Sequence, residues 1–573
     1  MRQLNRQICK LSDDAAARAG AVIEAWRIDG NVTRLWNKDA SLWTNTDESR
    51  WLSWLSIVDE QLRDPGHLRA LAEEIRAGGF AHALLLGMGG SSLCPEVLAM
   101  TFGPQPGFPE MRVLDSTVPA QVLAAEKRID VAKTVFIVAS KSGSTLEPAI
   151  FKQHFFERVA EITGRANAGR QFIAITDPGS LLESEAKADG FRRILYGVPE
   201  IGGRFSALSN FGMAPAAVMG LDTVKFLESA RLMVEACGAE TDPAENPGVV
   251  LGVVLGVLAG AGRDKLTIIC SPELCDLGAW LEQLVAESTG KEGKAIIPVD
   301  REPLAAPDAY GDDRVFVYVR LATSPDAAQD AAVGALEHAG QPVIRIEVDE
   351  KYSLGQEFFR WEIATAVAGA VMKLNPFNQP DVQFSKSETS KLTTAYEETG
   401  SLPAEEPVFE ADGVKLFADS RNASALGAAE ADLAGYLRAH LGRLREGDYF
   451  AILAYIEMNQ AHEEIFQEMR AAVREKTGVA TCLGFGPRFL HSTGQAYKAG
   501  PNSGVFLQVT SDDARDVPVP GRKYTFGVVK AAQARGDFEV LAQRERRALR
   551  VHLGADVAAG LAVLRRAFRE ALG

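Results

Sequence analysis

The segment Val135-Phe-Ile-Val-Ala-Ser-Lys-Ser-Gly-Ser-Thr-Leu-Glu-Pro148 sets the terms for the whole chain. Val135 to Ala139 is an unbroken apolar, largely β-branched run, the pattern of a strand covered on both faces, as in parallel sheets packed between helices. Ser140 to Thr145 then supplies four hydroxyls, Lys141 and Gly143. An apolar helical pattern follows over Ile150 to Ile162. It is opened by the capping-box spacing Ser144-x-x-Glu147, with Pro148 in the first turn. Such a turn brings free backbone N–H groups and the positive end of a helix dipole to one place, which suits an anion. A helix cap uses one hydroxyl, so this cluster predicts a phosphate cradle.

Ala83-Leu-Leu-Leu-Gly-Met-Gly-Gly-Ser-Ser-Leu-Cys-Pro95 repeats the same logic: buried strand, glycine turn, Ser91 and Ser92, then a helix from about Pro95. Its Gly87-x-Gly89 spacing runs on to Ser92 instead of a third glycine, so it suits a lone phosphate better than a dinucleotide. Val113-Leu-Asp-Ser and Phe172-Ile-Ala-Ile-Thr-Asp are further strand ends with polar tips. Strands alternating with helices predict a doubly wound parallel sheet that binds ligands at its carboxyl edge.

The net charge of −15 gives no basic footprint for nucleic acid or an anionic membrane surface. The six cysteines are scattered without a CxxC pair, which excludes a disulfide framework and a cysteine-based zinc site and fits a cytoplasmic setting. The N-terminus lacks the apolar core of a signal peptide. The longest apolar run, Gly248 to Gly262, is glycine-rich and shorter than the roughly 20 residues of a membrane span. Asn246-Pro247 reads as its cap and first position, which makes it a core helix.

Residues 1–78 read as helical, with Trp36, Trp43, Trp51 and Trp54 packing the helices onto the body. Gly202-Gly-Arg-Phe-Ser206 puts an arginine on a flexible bend, suited either to a surface carboxylate or to charge developing on a substrate oxygen. A second α/β block starts with the core helix. It continues through strand Leu266–Cys270 and helix Leu277–Thr289, on which Gln283 and Glu287 share one face. Glu287 sits in the last turn, before Gly290, at the unfavourable end of the dipole. A residue placed against local preference is a candidate for function. Strands Val315–Val319 and Val343–Val348 and helix Leu354–Met372 follow. The two prolines of Asn375-Pro-Phe-Asn-Gln-Pro380 predict an extended, non-helical course, and Gln379, Gln383 and Lys386 follow at near-helical spacing. Residues about 395–445 read as a spacer plus a helix. A last block has strand Tyr449–Tyr455, a helix over about 460–477 and strand Val479–Leu483. It leads to His491, set among Ser492, Thr493, Gly494 and Gln495, where an imidazole is placed to move protons near neutrality.

Taken together, Gly-Met-Gly-Gly-Ser-Ser (87–92), Ser-Lys-Ser-Gly-Ser-Thr (140–145), Gly-Gly-Arg-Phe-Ser (202–206), Ala-Glu-Ser-Thr-Gly-Lys (286–291) and Asn-Pro-Phe-Asn-Gln-Pro with Lys386 resemble the phosphoglucose isomerase family. Arg34–Thr44 and Gly484–Asn502 are similar to the isomerase half of bifunctional transaldolase/phosphoglucose isomerases. A transaldolase barrel needs some 250 residues, and the chain has no room for one ahead of Trp36. The resemblance implies two sugar-isomerase (SIS) domains of doubly wound α/β type, with an N-terminal helical segment and a C-terminal α/β block. The expected boundaries are 1–78, 79–240 (phosphate cradle), 241–395 (catalytic Glu) and 396–573.

It further implies that Ser91, Ser140, Lys141, Ser142 and Thr145 hold a sugar phosphate. Glu287 moves a proton between C2 and C1, Arg204 stabilises the enediolate, Gln283 and Gln379 line the sugar, and Lys386 assists ring opening. The family's ring-opening histidine falls between the Glu and Lys motifs, but Ala306-Pro-Asp-Ala-Tyr-Gly-Asp-Asp-Arg314 has none, and His491 is the expected replacement. The expected activity is interconversion of glucose 6-phosphate and fructose 6-phosphate, without cofactor or metal, in a homodimer. The alternatives are a non-catalytic sugar-phosphate sensor and an isomerase of another hexose phosphate such as mannose 6-phosphate.

Overall fold

Parallel strands with helices on both faces build each of the three sheets in the computed structural model, which describes residues 3–427 and 432–573. The first sheet has the order Glu110–Leu114, His82–Leu86, Thr134–Ala139, Phe172–Thr176, Arg193–Tyr196, all parallel. Its direction of winding reverses between His82–Leu86 and Thr134–Ala139. The turns at 87–92 and 140–145 leave the carboxyl ends of those two strands, flanking the crevice where such sheets bind ligands. Thr134–Ala139 is buried throughout, as its unbroken apolar run requires.

The second sheet runs Val343–Val348, Arg314–Leu321, Lys265–Cys270, Ile297–Asp300 in parallel. Arg6–Lys10 is added antiparallel to Val343–Val348. The N-terminal segment is therefore not wholly helical: its first element closes an edge of this sheet. Its tryptophans pack as expected, with the Trp43 indole donating to the Ala366 carbonyl at 2.8 Å and that of Trp36 to the Cys237 carbonyl at 2.8 Å. One continuous core joins the N-terminal helices, one face of the first sheet and the second sheet.

The C-terminal block is a further α/β unit. Arg547–Leu553, Gly504–Ser511, Tyr449–Tyr455 and Ala480–Phe485 are parallel, and the hairpin Phe409–Ala411/Val414–Phe417 is added antiparallel. The hairpin lies in the stretch expected to be a spacer. The block packs on both other units: Phe526 stacks on Phe151 of helix Leu146–Thr163, and Tyr449 and Leu453 share a core with Ile297 and Val299 of the second sheet.

Two local expectations change. The extended course stops at Pro380, and Lys386 lies on a helix, Pro380–Thr399, in keeping with its near-helical spacing. Pro380 takes the first helical position, where its missing N–H costs nothing. The helix after the hydroxyl turn begins at Leu146, and Thr145 occupies its cap position without a side-chain bond to the first turn. Ser144 and Glu147 form no capping box, because each side chain is engaged elsewhere.

Candidate active site

Arg204 and Glu287 meet in the interior. The Arg204 guanidinium lies 3.4 Å from Glu287 Oε1, with side-chain exposures of 3% and 8%. Its remaining donors are all used: Nε to Ser288 Oγ at 2.7 Å, Nη1 to Gln379 Oε1 at 3.0 Å, and Nη2 to the carbonyls of Pro376 at 2.6 Å and Asn378 at 3.0 Å. Burial pulls the Arg204 guanidinium below its usual range, and the Glu287 charge opposes that pull. A guanidinium stays protonated under such pressure, so the site keeps a fixed cation beside a carboxylate.

Close backbone approach makes this possible. A Cβ on Gly90 would lie 2.0 Å from the Gly203 carbonyl oxygen, and one on Gly89 would lie 2.7 Å from Gln283 Nε2 and 3.0 Å from the His491 carbonyl oxygen. The glycine turn at 87–92 is thus a seat for the Arg204 loop, the Gln283 side chain and the His491 turn. Ser91 stands in this turn, half-buried, at the carboxyl edge of the first sheet.

Gln283 joins the pair to the rest. Its amide nitrogen donates to Glu287 Oε2 at 3.1 Å and to the His491 carbonyl at 2.7 Å. The His491 ring in turn meets Glu147 through Nε2 at 2.9 Å from Oε1. Burial pushes the Glu147 carboxyl up, but the charge and hydrogen bond of His491, with Lys386 adding charge, hold it below the usual carboxylate range. His491 and Glu147 line a cleft of about 1020 Å³ together with Thr145, Ser144, Gly143, Lys386 and others. Lys386 is exposed to this cleft.

The residues of the hydroxyl turn do not all face the cleft. Ser140 is buried, and its hydroxyl accepts from the Gly143 N–H at 3.2 Å. The Ser142 and Ser144 hydroxyls bond each other at 2.7 Å. Both arrangements shape the turn, while Thr145 at the uncapped helix start borders the open space. Lys141 turns away: its ammonium is 2.5 Å from Asp177 Oδ2 and 2.9 Å from the Pro199 carbonyl oxygen. Lys386 lines the cleft instead, as do Lys391 and Arg522.

The residues that sequence reasoning missed come from partners distant in the chain. Glu147 read as a cap because its spacing from Ser144 is that of a capping box. Gln495 had no stated role; it donates to the Gly290 carbonyl at 3.1 Å and accepts from Asp381 N–H at 3.0 Å, joining the end of the Glu287 helix to the start of the Lys386 helix. Arg488 pairs with Glu96 at 2.6 Å and Asp115 at 2.8 Å, fixing the His491 turn to the first sheet. Its polar loop carried no signal for those partners.

Residues 57–300 match the family model for phosphoglucose isomerase, a span that takes in Arg204, Gln283 and Glu287 but neither Lys386 nor His491. The chain is 31% identical over 371 residues to a glucose-6-phosphate isomerase of Rubrobacter xylanophilus, covering 56% of this chain and 85% of that protein. In fold it is similar to a hypothetical protein from Thermus thermophilus, with a TM-score of 0.58 and 24% identity, covering 67% of this chain and 99% of that one. It is also similar to a glucose-6-phosphate isomerase from Chlamydia trachomatis, with a TM-score of 0.52 and 19% identity, covering 64% and 78%. With most of a relative's length aligned at that identity, the chain belongs to the phosphoglucose isomerase family.

Proposed function

We propose that the chain is a glucose-6-phosphate isomerase, moving one proton between C2 and C1 of the open-chain sugar through a cis-enediol. The observation that carries this reading is the buried Arg204–Glu287 pair, tied through Gln283 and His491 to the helix that starts at the hydroxyl turn. The α-proton of an aldose is weakly acidic, so its removal needs a base and a fixed positive charge where negative charge develops on oxygen. Glu287 takes the C2 proton and returns it to C1. Arg204 holds the enediolate oxygen, and Gln283 fixes the base through Oε2. Gln379 lines the sugar beside Arg204. The phosphate sits at the uncapped N-terminus of helix Leu146–Thr163, with Thr145 as a direct ligand. Ser91, Ser140 and Ser142 shape the two turns around it, and Lys386 supplies the charge. His491, paired with Glu147, moves the ring proton when the closed sugar opens, and Lys386 assists.

All of these groups belong to one chain, so the homodimer implied by the resemblance is not needed to assemble them; sedimentation at assay concentrations reads it. No helix among the described residues is long and apolar enough to cross a membrane, and all six cysteines are unpaired. A cytoplasmic setting agrees with both.

The test is a coupled assay on fructose 6-phosphate with chelator present, comparing wild type with Glu287→Gln, and His491→Ala on closed-ring substrate. Turnover by wild type and its loss in Glu287→Gln is expected. Sugar-phosphate binding without turnover by wild type points to a sensor instead. Full activity of His491→Ala on the closed ring removes the histidine from the mechanism.

A further inference from the structure

His491 and Glu147 depend on a third side chain that the mechanism above leaves without a role. Gln533 lies on helix Phe526–Gln543 of the C-terminal block and is 2% exposed. Its amide nitrogen donates to Glu147 Oε1 at 2.7 Å, and its amide oxygen accepts from the Thr117 hydroxyl at 2.6 Å. Thr117 is fully buried and follows strand Glu110–Leu114 of the first sheet. Four side chains thus form one line: Thr117, Gln533, Glu147, His491. Two belong to the first sheet's unit and two to the C-terminal block.

The direction of each bond follows from what each group can do. An ionised carboxylate only accepts, so the amide presents its NH₂ to Glu147 and its oxygen to Thr117, whose hydroxyl then donates. Glu147 Oε1 also faces His491 Nε2, so that ring nitrogen carries a proton. The other nitrogen, Nδ1, has no protein partner among the described residues, and the ring lines the cleft. In the neutral ring Nδ1 is therefore the lone pair left free to take a proton.

We infer that Gln533 is a positioning residue for the isomerase reaction, holding Glu147 as an oriented acceptor and thereby selecting the His491 tautomer whose Nδ1 meets the sugar. This rests on the isomerase reading, and it adds a residue that does not itself touch substrate. Fixed polar partners behind a catalytic imidazole set its tautomer and ring angle, and their removal is felt in the rate more than in substrate binding.

The test uses the full-length chain and two readouts. First, ¹⁵N-histidine labelling, with His491→Ala to assign the signal, reports the His491 tautomer in the absence of any sugar. Wild type is expected to hold the Nε2–H form. Gln533→Met, similar in length but without a donor, is expected to show a mixture. Second, kcat for fructose 6-phosphate is followed from pH 5.5 to 9. Gln533→Met is expected to lose about 10- to 100-fold in kcat with KM within about 3-fold. Its pH profile should move relative to wild type, because Glu147 Oε1 loses one of its two side-chain donors. In the His491→Ala background the same substitution should cost almost nothing further, as for residues acting as a unit. A wild-type tautomer signal in Gln533→Met overturns the inference. So does a loss that adds in full to that of His491→Ala, or a lower melting temperature with an unmoved pH profile. The tautomer readout decides the matter even if the chain proves inactive on fructose 6-phosphate, which would count against the isomerase reading alone.

Discussion

The Arg204 guanidinium and the Glu287 carboxylate stand 3.4 Å apart, although one leaves a loop beyond the first sheet and the other a helix of the second. The arginine is bound by a serine, a glutamine and two carbonyls as well, so the carboxylate is not its only anchor. Glu287→Gln keeps the shape and removes the base. It should lower kcat by roughly 10²- to 10⁴-fold with little change in KM. Arg204→Lys cannot reproduce the fork of donors. It should lower both kcat and the melting temperature. Steady-state kinetics and calorimetry on the two variants separate these outcomes.

The two lysines near the hydroxyl turn should behave differently. Lys141 is paired with Asp177 and faces away from the cleft, whereas Lys386 lines it. Lys386→Ala should raise KM for fructose 6-phosphate by about 10-fold or more, the scale of a charge-assisted bond. Lys141→Met should leave KM within about 3-fold and lower the melting temperature, because Asp177 loses its partner. A large KM effect from Lys141→Met would return that side chain to the phosphate.

The sequence made the scaffold legible because buried parallel strands are written as unbroken apolar runs; Val135–Ala139 and Leu266–Cys270 lie within the strands found. The Gln283–Glu287 face was legible for the same kind of reason, since helical spacing puts residues four apart together. Glu147 was misread because a capping box and a carboxylate that pairs with distant side chains share one spacing, and only the arrival of His491 and Gln533 distinguishes them. A sequence shows that Lys141 is near a turn but not which way it points, and here its ammonium turns to Asp177.

Acid groups on and against the Glu287 helix predict a pH dependence of stability. Glu282 and Asp300 face a small cavity of about 100 Å³ against the C-terminal block. Burial, with the Asp300 charge adding, pushes Glu282 up to about 8 against the pull of Arg470, Arg301 and Arg488. Burial likewise raises Asp300 to about 6. A carboxyl whose folded value lies above its unfolded value favours the folded state most while protonated. Stability should therefore fall as pH rises from about 4.5, the ordinary carboxyl range, to about 8. Glu282→Gln should remove part of that slope, melting about 2–4 °C higher than wild type at pH 8 and close to it at pH 5. Thermal scans at the two pH values measure it. An unchanged slope would place the dependence elsewhere.

Gly90→Ala tests the seat of the Arg204 loop. The added carbon would lie 2.0 Å from the Gly203 carbonyl oxygen, and backbone cannot yield as a side-chain tip does. Overpacking of this kind costs about 1–3 kcal/mol, and the displaced loop takes Arg204 with it. Near-complete loss of turnover is expected, with a lower melting temperature and phosphate affinity largely kept, read by titration with inorganic phosphate.

His491 is held at both ends: its ring by Glu147, and its own carbonyl by the side chain that steadies Glu287. His491 and Glu287 therefore travel on one covalent thread. Dilution cannot part them, and specific activity should stay flat from micromolar to picomolar enzyme. A clipped loop ahead of residue 449 would turn that constancy into a dependence on how tightly the severed piece still clings.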